Sequence, residues 1–96
     1  MPKTILLVDD DIDLLQSLAE MLRRRGYAVL EHSDPTEALE CVRGNQSLAC
    51  VLTDIDMPGM DGVSLLEEIR QVRPVVDGLL MTGNFRWWGP AVSDNV

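Results

Sequence analysis

Two apolar runs that each end in carboxylates constrain the fold of this chain more than any other feature. Residues 5–8 lead directly into three aspartates at 9–11, and residues 50–53 lead into Asp54. If both runs are parallel strands of one sheet, their carboxyl ends open into the same crevice, which is where open α/β sheets bind ligands. Clustered carboxylates repel one another and stay ionised most readily around a hard cation such as Mg²⁺. The pattern therefore indicates divalent-metal and phosphoryl chemistry.

Strand and helix patterns alternate along the rest of the chain. The predicted strands span residues 3–8, 27–30, 48–53 and 75–81. Helices are predicted after Asp11, Asp34 and Asp61, since an aspartate in front of a helix accepts hydrogen bonds from its free backbone amides. Strands separated by helices of about a dozen residues imply right-handed crossovers. We therefore predict an α/β fold with a parallel sheet.

Composition narrows the class of protein. The 96 residues suffice for one domain, and no apolar run is long enough to span a bilayer. The net charge of −8 argues against direct nucleic-acid binding, which requires clustered basic residues. Cys41 and Cys50 do not form a metal or disulfide pattern, so we expect reduced thiols. Because residues 1–4 lack the pattern of a secretory signal, we expect a cytoplasmic protein with no membrane association.

Three sequence blocks together resemble the receiver domain of two-component response regulators. They are ILLVDDD at residues 5–11, LTDIDMPGMDG at 52–62 and LMTG at 80–83. The blocks fall in the order and spacing of that family and, with the helices between them, cover residues 3–83. The resemblance implies a flavodoxin-like, doubly wound parallel sheet, with residues 1–83 as the receiver-like domain.

The resemblance also implies roles for individual residues. Asp54 would be the phosphoacceptor, which takes a phosphoryl group from a histidine kinase. Asp9 and Asp10 would be the acidic pair that holds Mg²⁺, with Asp10 and Asp54 as direct ligands and Asp9 acting through water. Asp56 would supply a backbone carbonyl to the metal, and Thr82 would be the hydroxyl residue that turns toward the phosphoryl group. Such a domain is not an enzyme beyond self-catalysed phosphorylation and dephosphorylation.

The chain departs from the family pattern after residue 83. The family continues with a helix, a fifth strand that ends in a lysine, and a final helix, whereas Lys3 is the only lysine here. Residues 84–96 have no helix or strand periodicity and contain Phe85, Trp87 and Trp88, three of the four aromatic residues. We therefore expect a receiver truncated after its fourth strand, with an atypical aromatic tail. The folded-back tail, a second copy of the chain, or exchange of elements between copies could cover the fourth strand. We predict a homodimer whose interface includes the fourth strand and the aromatic tail.

Two other functions remain open from the sequence. A degenerate receiver would act as a protein-binding module without effective phosphorylation, and the missing lysine and fifth strand favour it. A phosphatase of the haloacid dehalogenase type is the other alternative, because an apolar run followed by Asp54 and Asp56 resembles the nucleophile and general acid of that family. Against the phosphatase, the acidic pair precedes the nucleophile and Pro58 interrupts the motif.

Overall fold

A single sheet covered by helices on both faces forms the described part of the chain, which comprises residues 3–44, 48–81 and 86–88 of a computed structural model. The elements are β1 (Thr4–Val8), α1 (Ile12–Arg24), β2 (Ala28–His32), α2 (Pro35–Arg43), β3 (Leu48–Asp54), α3 (Gly62–Val72), β4 (Asp77–Met81) and β5 (Arg86–Trp88). The strand order is β2-β1-β3-β4-β5, and the first four strands are mutually parallel. The predicted α/β class and flavodoxin-like sheet, whose parallel part ends at the fourth strand, are confirmed.

β5 covers the edge of β4. Residues 84–96 have no strand periodicity, and the sequence leaves three ways to cover that edge: the folded-back tail, a second copy of the chain, or exchange of elements between copies. In the structure, residues of the tail form β5, which pairs antiparallel with β4, so that Gly78, Leu79 and Leu80 have backbone partners. Backbone pairing satisfies the unpaired groups of an edge strand without requiring any side-chain periodicity, which is why the sequence pattern did not reveal it. The remaining tail residues lie outside the described part of the chain.

Aspartate side chains begin all three helices, as predicted. Asp11 accepts a hydrogen bond from the Leu14 amide at 3.2 Å, and Asp34 accepts one from the Thr36 amide at 3.0 Å. Asp61 accepts one from the amide of Ser64 at 2.8 Å. These bonds satisfy backbone amides that have no partner within the first helical turn. The capping aspartates therefore define the residue at which each helix begins.

The sheet separates two apolar clusters. The larger one lies between the sheet and the pair α2 and α3, and the smaller one lies under α1. The larger cluster is built from strand residues such as Leu6, Val8 and Val51 and from Leu66 and Ile69 of α3. Alternate residues of β1 therefore face opposite clusters, since Leu7 belongs to the smaller one. Burial on both faces fixes the register of the strands that carry the aspartates.

Within the described residues, no helix combines the length and apolar character needed to cross a membrane. Cys41 and Cys50 are free thiols, each partly exposed.

Candidate metal and phosphorylation site

The register of β1 against β3 brings the predicted acidic residues together. Val8 lies opposite Thr53, so Asp9 and Asp54 follow at the carboxyl ends of neighbouring parallel strands. One carboxylate oxygen from each of Asp9, Asp10 and Asp54 lies within 4.8 Å of the other two. The structure thus places these three predicted site residues in one cluster of negative charge.

The three carboxylates differ in their surroundings. Asp9 is only 2% exposed; its amide donates to the His32 carbonyl at 3.2 Å, and its Oδ1 accepts from the Asp11 amide at 2.9 Å. Asp10 is exposed and Asp54 is half-buried. Asp9 therefore forms the fixed floor of the cluster, while Asp10 and Asp54 can be reached from solvent.

The charge of the cluster is unfavourable in the metal-free protein. Burial is the main cause that raises the pKa of Asp9 above its ordinary value; the Asp11 amide opposes this, and the charges of Asp54 and Asp10 add to it. Burial also raises the pKa of Asp54; a hydrogen bond from the Ile55 amide lowers it, and the charge of Asp10 raises it further. A bound cation would remove this penalty by favouring the ionised forms.

The donor set of the cluster fits Mg²⁺. Mg²⁺ prefers oxygen ligands, takes one or two carboxylates in most protein sites, and keeps several of its waters. Asp10 and Asp54 can offer such carboxylates from the solvent side, and the buried Asp9 can hold a metal-bound water. The residues present therefore suit a hydrated, partly exposed Mg²⁺ ion.

The loop after β3 is held from two directions. The Ile55 amide donates to the Met81 carbonyl on β4 at 3.2 Å, and the Ile55 carbonyl accepts from the Gly62 amide on α3 at 2.8 Å. Gly59 has a φ of 87°, a backbone conformation that favours glycine and explains its place in this turn. Asp56 is exposed. Thr82, the predicted hydroxyl residue, lies outside the described residues.

Two contributors to this site were missed by the sequence reasoning. Thr53 is fully buried, and its hydroxyl donates to the Asp54 carbonyl at 3.0 Å. Gly62 is also buried, with its amide bonded to the Asp54 loop. The sequence offered one signal for Gly62: a glycine stands at the first position of a predicted helix, although helix propensity disfavours glycine.

Comparison with known proteins agrees with this geometry. Residues 5–86 match the family profile of the response regulator receiver domain. The chain is 38% identical over 81 residues to the phosphoglycerate transport system transcriptional regulatory protein PgtA of Salmonella typhimurium, covering 84% of this chain and 19% of the relative. It is 42% identical over 78 residues to the transcriptional regulatory protein ZraR of Escherichia coli, covering 81% and 18%. The chain thus spans about a fifth of the length of these curated relatives.

Solved structures show the same likeness. A CheY-like receiver domain protein from Methanospirillum hungatei superposes with a TM-score of 0.81 at 34% identity, covering 88% of this chain and 66% of that one. The receiver domain of the hybrid histidine kinase CckA superposes with a TM-score of 0.76 at 36% identity, covering 83% and 75%. The matched segment includes the strands that carry the acidic cluster. This chain therefore belongs to the response regulator receiver domain family of two-component signalling.

Proposed function

We propose that this chain is a Mg²⁺-dependent phosphoacceptor, in which Asp54 takes a phosphoryl group from a histidine kinase. The observation that carries the proposal is the convergence of Asp9, Asp10 and Asp54, whose carboxylate oxygens lie within 4.8 Å of one another. Three carboxylates at the ends of adjacent strands raise the free energy of the folded chain unless a cation or a proton joins them. Such a cluster is therefore better explained by a ligand than by packing.

Asp54 has the properties of a nucleophile in this proposal. Its carboxylate is ionised near neutral pH when a cation is present, and its partial exposure lets a phosphodonor approach. A bond forms between an Asp54 oxygen and phosphorus as the bond from phosphorus to the donor nitrogen of the kinase histidine breaks. Mg²⁺, when bound, would neutralise charge on the phosphoryl oxygens. Asp10 and Asp54 would be its carboxylate ligands, with the Asp56 carbonyl as a third protein ligand.

The position of Lys3 bears on its part in this reaction. Lys3 directly precedes β1, whereas the carboxylates follow β1 at the other end of the strand. Five strand residues separate the two ends by about 16 Å, so Lys3 does not approach Asp54. We therefore propose that Lys3 takes no part in phosphoryl transfer to Asp54. A degenerate receiver that acts by binding, without effective phosphorylation, is the alternative to a phosphoacceptor.

We further propose a cytoplasmic protein that associates as a homodimer and makes no direct contact with nucleic acid. The edge of β4 is already paired with β5, so association cannot use that edge. An apolar groove of about 270 Å³ on the α1 side of the sheet supports association instead; its lining includes Ile5, Leu22, Leu52 and Leu79.

Light scattering at micromolar concentration should give the mass of a dimer, and a stable monomer would contradict the proposed association.

Replacing one metal ligand tests the site. We expect Asp10→Asn to weaken Mg²⁺ binding about tenfold or more, because it removes a charged ligand. Asp13→Asn is the matched control, since Asp13 is an exposed aspartate in the first turn of α1 outside the cluster. Binding is measured by following amide chemical shifts during a Mg²⁺ titration. Equal affinities for parent and Asp10→Asn would show that the cluster is not the metal site.

A small phosphodonor such as acetyl phosphate tests the phosphoacceptor. Intact-mass analysis should show one added phosphoryl group on the parent and none on Asp54→Asn, because the amide is not a nucleophile at this centre. Asp56→Asn is the control, since it changes an exposed side chain nearby and leaves its carbonyl in place. An adduct on Asp54→Asn would refute the assignment. If the parent gains no mass, the result would favour a degenerate receiver that acts as a protein-binding module. Catalytic turnover of phosphate monoesters would favour a phosphatase of the haloacid dehalogenase type.

The repulsion in the cluster predicts a pH dependence of stability. The pKa of Asp54 is raised by folding, chiefly by burial, so its ionised form destabilises the folded protein above that pKa, and the penalty disappears as the pH falls below the pKa of the unfolded chain. Without metal, Asp54→Asn should therefore raise the melting temperature at neutral pH, by an amount that shrinks on acidification. The pKa of Asp61 is lowered, chiefly by the Ser64 amide, so its ionised form stabilises the fold. Asp61→Asn should therefore lower the melting temperature at neutral pH. A lower melting temperature for Asp54→Asn at neutral pH would contradict this account.

A further inference from the structure

Gly62 lies against the backbone of the proposed phosphoacceptor. It is the first residue of α3 and is buried. A Cβ at this position would overlap the Asp54 carbonyl oxygen and would stand 3.0 Å from the Asp54 carbonyl carbon and 3.1 Å from the Ile55 Cα. All three are backbone atoms, which cannot rotate away as a flexible side chain can. Only a residue without a Cβ therefore permits this approach.

Of Gly26, Gly44, Gly59 and Gly62, only Gly62 approaches another backbone segment this closely. A Cβ on Gly44 would meet only the Cys41 carbonyl oxygen at an ordinary 3.9 Å, and one on Gly26 or Gly59 would meet nothing within 4 Å. Gly26 and Gly59 have positive φ, whereas Gly62 does not, so its backbone conformation is open to other residues. Helix propensity also disfavours glycine. Contact with residues 54 and 55 is the remaining physical reason for a glycine here.

The contact joins a rigid helix to the Asp54 loop. The Gly62 amide donates to the Ile55 carbonyl at 2.8 Å, and the Ile55 amide donates to the Met81 carbonyl at 3.2 Å. α3 itself is fixed in the core by Leu65, Leu66 and Ile69, none of which is exposed. The peptide that follows Asp54 is therefore held between β4 on one side and the first turn of α3 on the other.

We propose that Gly62 is a positioning residue for the acidic cluster. Its missing side chain lets α3 hold the peptide between Asp54 and Ile55 where the Asp54 carboxylate meets those of Asp9 and Asp10. Asp9 and Asp10 follow β1, so their positions do not depend on this contact. Displacement of α3 by the width of a methyl group would move one carboxylate relative to the other two. The consequence for metal binding depends on the function proposed above, whereas the backbone contact does not.

The test is Gly62→Ala with two controls. Gly44→Ala adds a methyl group where there is room, and Val76→Ala removes buried apolar volume before the amino end of β4, remote from the cluster. We expect Gly62→Ala to weaken Mg²⁺ binding about tenfold or more, as loss of a supporting contact does at other metal sites. Both controls should bind as the parent does, at a temperature where every variant is folded. In metal-free protein, Gly62→Ala should also accelerate hydrogen exchange of the Ile55 amide beyond either control.

Each result decides between distinct explanations. Parent-like Mg²⁺ affinity and Ile55 exchange in Gly62→Ala would overturn the positioning role. Equal losses in Val76→Ala would assign the effect to global stability and also overturn it. If the parent binds no Mg²⁺, the proposed function fails, and Ile55 exchange alone decides whether Gly62 holds the loop. If Gly62→Ala does not fold, hydrogen exchange of the Gly62 amide is measured in the parent instead. Slow exchange of that amide supports the contact with Ile55, and exchange at the rate of an exposed amide refutes it.

Discussion

The parallel pairing of β1 with β3 is the constraint on which the rest of this structure depends. It places Val8 beside Thr53, so that the residues that follow each strand emerge at one edge of the sheet. Because alternate side chains face opposite sides of a strand, a register shift of one residue would move Leu6 and Val8 out of the larger apolar cluster. The core therefore holds the register, and the register brings the carboxylates together.

The same arrangement makes the site costly to the metal-free fold. Asp9 is buried at 2% exposure and has backbone hydrogen bonds but no positive neighbour in the described cluster. Burial and like charge raise the pKa of both Asp9 and Asp54, and carboxylates with raised pKa values are common at functional sites. Buried apolar residues on both faces of the sheet offset that cost. The apolar core and the proposed metal site therefore occupy different parts of the same strands.

Local sequence patterns predicted the elements well because local interactions produce them. Asp11, Asp34 and Asp61 cap the three helices as expected, and strand ends carry the predicted acidic residues. β4 begins at Asp77 rather than at residue 75, since the amide of Val76 bonds to Arg73 in a turn. β5 and the contact of Gly62 with the Asp54 backbone could not be predicted in this way. The first depends on backbone pairing between segments, and the second on the close approach of a helix to a loop, neither of which leaves a periodic signal.

Localising a bound metal tests the central claim most directly. Mn²⁺ accepts the same oxygen ligands as Mg²⁺ and broadens the NMR signals of nearby amides. If the acidic cluster is the metal site, substoichiometric Mn²⁺ will broaden the amides of Asp10, Asp11 and Ile55 first, and signals at the other end of the strands, such as that of Gly78, will stay sharp. Broadening centred on another acidic surface, such as Glu67 and Glu68 on α3, would contradict the account.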